Sequence, residues 1–317
     1  MSAPEQYTAQ VKKLAASLGF SQCGIAKAER LDEDARRLEA WLHKGHQAGM
    51  QYMEKHFDLR VDPRKLVPGA RSVITLMCNY FPSNQAASES LKISKYAWGK
   101  DYHEVIREKL NIFLFRLRET VGEVNGRGFV DSAPVLERAW ARKSGLGWVG
   151  RNVNLINKEK GSFYFLATLI TDLELVPDNP FIKDYCGTCT KCIDHCPTAA
   201  ILPGKEIDAN KCISYLTIEL KEEMISPAFS GKFQNWMFGC DICQDVCPWN
   251  RFSKPHNEPA FEARNEWFTF KISDWLNLDE ERFKILFKDS PLKRAKLKGI
   301  KRNIKFLINE PSGNETE

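Results

Sequence analysis

The sequence predicts an α+β protein in three stretches: mixed helix and strand over residues 1–175, a compact cysteine-rich module at 176–255, and a helical, basic segment at 256–317. Three observations predict it. Hydrophobic residues make up 43% of the 317 and charged residues 27%, the balance of a globular chain. Apolar periodicity switches between helix-like and strand-like along the first 175 residues. Eight of the ten cysteines fall between Cys186 and Cys247.

The first stretch predicts helices over 4–18, 32–44, 49–57, 101–121 and 134–143. Strands are predicted at Gln22–Ala26, Ser72–Tyr80, Gly128–Asp131 and Phe163–Asp172, where β-branched and aromatic residues cluster. Pro82–Ser90 reads as a polar loop. The 4–18 helix has no signal-peptide core, and no apolar run approaches the roughly 18 residues of a membrane span. A cytoplasmic protein is expected. The turn-rich run Val176-Pro-Asp-Asn-Pro180 marks the passage to the second stretch.

In the second stretch, Cys186, Cys189, Cys192 and Cys196-Pro197 follow C-x₂-C-x₂-C-x₃-C-P, the bacterial ferredoxin run. Three thiolates on one tight loop reach three irons of a cubane, and the fourth, turned away by its proline, serves a second cluster. A degenerate repeat follows in Cys240, Cys243 and Cys247-Pro248, with Met237 where the first thiol would stand. Cys212, 28 residues before Cys240, completes the set. Two 4Fe–4S sites result: Cys186, Cys189, Cys192 with Cys247, and Cys196, Cys212, Cys240 with Cys243. Zinc also takes four thiolates, but it does not account for the triplet or the two Cys-Pro endings. His195 is left over as a neighbour, and Cys23 and Cys78 read as core thiols.

The third stretch carries the charge asymmetry. Net charge is +5 (46 basic against 41 acidic residues), yet Arg282–Lys305 holds ten Lys or Arg and one acid, Asp289. Such a block suits a polyanion, and equally a solvated helix face. The end, Glu310–Glu317, is expected to fray.

Three motifs need weighing. Gly145-Leu-Gly147-Trp-Val-Gly150 matches G-x-G-x-x-G, but a helical pattern precedes it and a strand at Asn152–Ile156 follows. That is the reverse of a dinucleotide fingerprint, so a glycine turn is expected. Asp101-Tyr-His103-Glu-Val-Ile106 approaches the D-x-H-x-x-G box of some cobalamin enzymes. Ile106 replaces its glycine, and Asp101 reads as a helix N-cap. Asp131, before Ser132-Ala-Pro134, reads from the residues alone as capping chemistry.

Arg71-Ser-Val-Ile, Tyr96-Ala-Trp-Gly-Lys-Asp-Tyr-His103, Val130-Asp-Ser-Ala-Pro134 with Glu137-Arg138, Gly145-Leu-Gly-Trp-Val-Gly-Arg-Asn152 and the cysteine arrangement with its isolated Cys212 together resemble the epoxyqueuosine reductases over roughly residues 5–305. The resemblance implies an oxidoreductase that turns epoxyqueuosine into queuosine at the wobble position of tRNAs with GUN anticodons. It implies cobalamin, held base-off without a histidine on cobalt in an N-terminal cobalamin-binding domain, and electrons relayed by two 4Fe–4S clusters from an external low-potential donor. Asp131 matches the family's proton donor, which displaces the capping reading and makes it a protonated acid. Implied cobalamin contacts are Ser94, Tyr96, Tyr102, His103, Asp131, Arg138, Asn152, Asn154, Ser214, Ile242 and Cys243. For tRNA, the basic block offers Lys293, Arg294, Lys296 and Lys298. A monomer is expected. Family members often continue into HEAT-like repeats, most of which this chain lacks. A reductive dehalogenase with the same cofactors is disfavoured because Arg36-Arg37 precedes no apolar core. A ferredoxin-type electron-transfer subunit would leave the first 175 residues without a purpose.

Overall fold

The computed structural model describes residues 2–83, 91–264 and 269–309. The expected loop at 82–90, apart from residues 82 and 83, and the expected fraying end at 310–317 lie outside them. The N-terminal part runs α1 (Ala3–Ser17), β1 (Gln22–Lys27), α2 (Asp32–His43), β2 (Ser72–Asn79), α3 (Tyr102–Val121), β3 (Gly126–Phe129), α4 (Glu137–Lys143) and β4 (Tyr164–Thr171). The four strands form one sheet in the order β1-β2-β4-β3, and every pairing is antiparallel.

Both faces of this sheet are covered, so its central strands read as continuous apolar runs. Alternate residues of β2 and β4 part between the faces. Ile74, Leu76, Ala167 and Leu169 pack with Val11 and Ala15 of α1 and Ile106, Leu110 and Phe113 of α3. On the other face, Val73 and Ile170 meet Ala139 and Trp140 of α4. The register, Ile74 opposite Leu169, keeps like faces together.

Four local expectations need correction. The 49–57 helix is a 3₁₀ turn, Gln51–Met53, followed by a separate short helix, Phe57–Val61; His56 between them has φ 58°. The helix expected from 134 starts at Glu137, after Pro134 and a bend. The strand placed at Gly128–Asp131 ends at Phe129, because Asp131 turns into left-handed backbone. Only Leu155–Ile156 of the expected 152–156 strand is extended, paired with Trp148–Val149. This hairpin explains the glycine motif. A Cβ on Gly147 would stand 2.2 Å from the Ile156 carbonyl oxygen, so the glycines serve close backbone packing.

In the cysteine module two short helices, α5 (Lys191–Asp194) and α7 (Ile242–Asp245), pack together, and α6 (Ile213–Ile218) starts directly after Cys212. The last helix, α8 (Lys296–Ile308), is not a solvated appendage. Its Ile300 and Ile304 share a core with Leu216, Met237 and Phe238 of the module and with Ala97 and Trp98 of the N-terminal part. Residues 92–93 also pair with 236–238 in parallel. The module and the tail therefore share one core across the boundary near 256, while the N-terminal sheet keeps a core of its own before 176. Among the described residues no helix is long and apolar enough to cross a membrane.

Candidate active site and cluster cysteines

The site begins at the first turn of α3. The Asp101 side chain caps it by accepting from the His103 backbone N–H at 3.1 Å, which fixes Tyr102 and His103 in place. Across from them, Asp131 follows β3 with φ 52°. That twist aims its carboxylate at α3 rather than at α4, whose N-cap is Leu136. Oδ2 of Asp131 accepts from the Tyr102 hydroxyl at 2.6 Å and lies 3.2 Å from His103 Nε2. His103 Nδ1 lies 2.8 Å from Asp101 Oδ1, and Lys293 Nζ reaches Asp101 Oδ2 at 2.9 Å. The Asp131 backbone N–H donates to Glu137 Oε1 at 3.0 Å.

The proton inventory follows from these contacts. Burial lowers the His103 pKa, but its hydrogen bonds to Asp101 and Asp131 outweigh that and carry it up to about 9. Burial raises the Asp131 pKa, yet the bonds from His103 and Tyr102 win and hold it below the usual carboxylate value. Its side chain is 60% exposed although protein rings the concave face, so the charged bonds decide. In this structure these contacts favour the carboxylate form of Asp131, with protons on its neighbours, whereas the resemblance implies a protonated acid during turnover. Burial, then the Asp131 charge, lift Glu137 to about 8. Both ring nitrogens of His103 are engaged, which leaves no lone pair for a metal.

A cavity of about 390 Å³ opens between this cluster and the cysteine module. Ser94, Tyr96, Tyr102, Arg138, Asn152, Asn154, Ser214, Ile242 and Cys243 line it, nine of the eleven positions expected to hold cobalamin; His103 and Asp131 stand apart from its lining. Sequence reasoning missed Tyr80, Tyr164 and Gln244 on the same wall, and Glu137 beneath Asp131. Tyr80 and Tyr164 converge from strands distant in sequence and no motif marks them, whereas Glu137 stands in the Val130–Arg138 motif without a role that its spacing reveals. Val153 on the wall has φ 55°, a rare conformation for a β-branched residue, and Arg138 Nη1 holds its carbonyl at 2.5 Å. The two halves of the wall are tied by Asp241, which accepts from Ser94 Oγ and from the Lys95 backbone N–H, and by Asn152 Nδ2, which donates to the Cys243 carbonyl at 3.1 Å.

All eight module cysteines are free and half-buried. The thiol of Cys192 is pushed up to about 11, first by burial and then by Cys186, Cys247 and Cys189. Cys240 is raised by burial and then, among others, by Cys212 and Cys196; Cys243 by burial, then Cys240 and Cys212. These mutual charge effects follow the two quartets, with Cys192 acting on Cys243 across them. Backbone N–H groups point at the sulfurs as well: Ala200 to Cys196 at 3.3 Å, and residues 214–215 to Cys212. Trp148 Nε1 donates to Cys186 Sγ at 3.4 Å. Eight sulfur donors with N–H groups aimed at them fit anionic thiolates in iron–sulfur clusters. Burial pushes Cys23 and Cys78 up to about 12, so both are inert thiols of the first sheet.

The basic block is less free than its sequence implies. Lys293 pairs with Asp101 and Glu104, Arg294 with Glu219 at 2.9 Å, and Lys298 with Glu223 at 2.7 Å. Lys296 has φ 58° where α8 begins. The charge of Arg294 is felt at Tyr52 and Asp131, so this end of the block borders the site.

Residues 60–132 match a family model described as epoxyqueuosine reductase QueG, DUF1730, and residues 185–250 match a 4Fe-4S double cluster binding domain. An epoxyqueuosine reductase of Cyclobacterium marinum is 58% identical over 98% of this chain and 100% of its own length. One of Pseudomonas aeruginosa is 40% identical over 98% of this chain and 87% of its own. Among solved structures, an epoxyqueuosine reductase with an epoxyqueuosine-modified tRNA stem loop shows 31% identity and a TM-score of 0.87, covering 96% of this chain and 81% of that one. The chain belongs to the epoxyqueuosine reductase family.

Proposed function

We propose that this protein reduces epoxyqueuosine to queuosine in tRNA, with cobalamin seated over the open cavity beside Tyr102 and two 4Fe–4S clusters on the eight module cysteines. One observation carries the reading: a single cavity is bordered by the acid cluster around Asp131 and lined by Cys196, Cys212, Cys240 and Cys243. Reducing an epoxide to an alkene consumes two electrons and two protons and releases water. When bound, cobalamin supplies a low-potential nucleophilic cobalt that opens the epoxide, and the clusters supply electrons one at a time.

The chain's own residues handle the protons. His103, protonated at neutral pH, passes a proton across its 3.2 Å contact to Asp131 Oδ2. Asp131 then delivers it to the oxygen that leaves carbon. Tyr102 keeps the carboxylate oriented, and the elevated pKa of Glu137 holds a second proton beside it. Cys186, Cys189, Cys192 and Cys247 hold the outer cluster, and Cys196, Cys212, Cys240 and Cys243 the one at the cavity. Ser94, Tyr96, Tyr102, Arg138, Asn152, Asn154, Ser214, Ile242 and Cys243 hold the corrin, and His103 stays off cobalt. Lys296 and the exchangeable pairs of Arg294 and Lys298 take phosphates of a tRNA with a GUN anticodon, whereas Lys293 is held at Asp101 and Glu104. The protein works as a monomer in the cytoplasm.

The test is anaerobic reconstitution with iron, sulfide and cobalamin, followed by nucleoside analysis of epoxyqueuosine-containing tRNA. Conversion to queuosine is expected. An enzyme loaded with both cofactors that leaves the epoxide intact would overturn the reading.

A further inference from the structure

Beside the outer cysteine quartet lies a second concavity, an open cleft of about 520 Å³ lined by Lys158, Glu159, Arg251, Phe252, Ser253 and Lys254. It shares no lining residue with the active-site cavity. Three cations face one acid, and among the described residues no carboxylate pairs with Lys158, Arg251 or Lys254. The cleft is preformed. Ser253 Oγ donates to the Lys160 carbonyl at 3.3 Å, and Asn250 Oδ1 accepts from the Ser162 backbone N–H at 2.7 Å. A Cβ on Gly161, φ 77°, would meet Asn250 Oδ1 at 2.3 Å, so the two segments touch with nothing between them.

Its floor leads to the outer quartet through aromatic rings. The Arg251 guanidinium lies 4.4 Å from the Phe252 ring centroid and 6.0 Å from that of Trp249, and Lys158 lies 5.3 Å from that of Tyr185. Trp249 meets Trp148 edge-on at 5.1 Å, and Trp148 hydrogen-bonds Cys186 Sγ. Trp249 is also two residues from Cys247. The loop carrying the outer quartet is exposed at Gly187, Thr188 and Thr190, whereas the other quartet lines the cavity.

We infer that this cleft is the docking surface for an acidic, one-electron carrier protein, which delivers electrons to the cluster on Cys186, Cys189, Cys192 and Cys247. The inference rests on the proposed function. In each encounter the carrier's reduced centre loses one electron and the cluster gains one. Two encounters supply the pair that one epoxide consumes. Unpaired cations around an aromatic floor steer and hold a carboxylate-rich partner. A tRNA is the lesser fit, because its reacting nucleotide must reach Asp131, whose partner Tyr102 lines the other concavity.

The test uses the reconstituted holoenzyme, an acidic flavodoxin as probe, and the triple variant Lys158→Glu, Arg251→Glu, Lys254→Glu. Binding is read by titration at low and high salt, and cluster reduction by stopped-flow bleaching. Wild type should bind flavodoxin with an affinity that falls with salt. The variant should lose at least about tenfold in affinity and in the flavodoxin-driven reduction rate. Reduction by the small cation methyl viologen radical, and tRNA turnover driven by it, should stay unchanged. Unchanged flavodoxin binding overturns the inference, and so does an equal loss of tRNA affinity, which would make the cleft a nucleic-acid surface. If methyl viologen drives no turnover even in wild type, the proposed function fails instead, while the binding result still judges the cleft.

Discussion

At Asp131 the backbone sits at φ 52°, where aspartate and asparagine are tolerated and most other side chains are strained. Asp131→Asn is therefore the clean test of its role, whereas alanine confounds charge with backbone. The asparagine variant should fold and bind both cofactors while turnover falls roughly 10²–10⁴-fold, measured by single-turnover nucleoside analysis. A near-normal rate would remove Asp131 from the proton path. His103 makes a second prediction. Its pKa rises from 6.5 to about 9 on folding, between Asp101 and Asp131. A group that binds its proton more tightly when folded stabilises fully below its unfolded pKa and loses that effect as pH rises through its folded one. His103→Gln should therefore cost most stability near pH 6, and the deficit should shrink between about pH 6.5 and 9. Paired melting curves across that range check it; a constant deficit would mean that the His103 pKa does not change on folding. Glu137 titrates in the same window and feels the His103 charge, so the comparison is repeated in a Glu137→Gln background.

Among the elements, α8 is held by a buried side chain rather than by charge on its surface. Arg302 is 9% exposed and donates to the carbonyls of Leu220, Glu222 and Leu216 at 2.8–3.0 Å. Asn303 Nδ2 reaches the Thr217 and Met237 carbonyls at 2.8 and 2.9 Å. These bonds knit the basic tail to the segment that carries Cys212. Arg302→Met keeps the apolar stem but strands three carbonyls, which should cost about 2–4 kcal/mol. A urea midpoint equal to wild type would show that water replaces the guanidinium. The cysteines act at the same scale. Cys212 stands alone on the turn before α6, so Cys212→Ala should lower iron from about eight to about four per chain, with Cys23→Ala leaving it unchanged. Full iron content in Cys212→Ala would place the fourth ligand of that cluster elsewhere.

Across the whole molecule the active site is assembled by three stretches distant in sequence. Residues 94–103 come from the N-terminal part, the inner quartet from the cysteine module, and Lys293 from the tail closes on Asp101 from outside. The basic block therefore has two roles. Lys293 is an electrostatic support of His103 and Asp101, whereas Lys296 and Lys298 have no contact with the acid cluster. Lys296→Ala with Lys298→Ala should weaken tRNA binding and flatten its log–log salt dependence by roughly 0.7–0.9 per lost phosphate contact, with turnover at saturating tRNA spared. Lys293→Ala should lower turnover even at saturation. Equal effects of the two changes would reduce the block to one uniform polyanion surface.

What depends on neighbours along the chain is legible in the order of the residues. Ligand spacing is local, so the eight cysteines are legible in the C-x₂-C runs, and Asp101 is legible as the cap of α3. An apolar run is local too, which is why β2 and β4 stand close to where their β-branched and aromatic clusters place them. What depends on side chains meeting across the fold was set by packing. It turned Asp131 from the α4 end toward Tyr102 and His103 and favoured the carboxylate form, with protons on its neighbours. It put Glu137 under that carboxylate and paired Lys293, Arg294 and Lys298 with acids up to 192 positions away (Lys293 with Asp101). A proton's resting place and a charge's freedom are set by the field of every group nearby, and packing brings those groups together from stretches that share no local pattern.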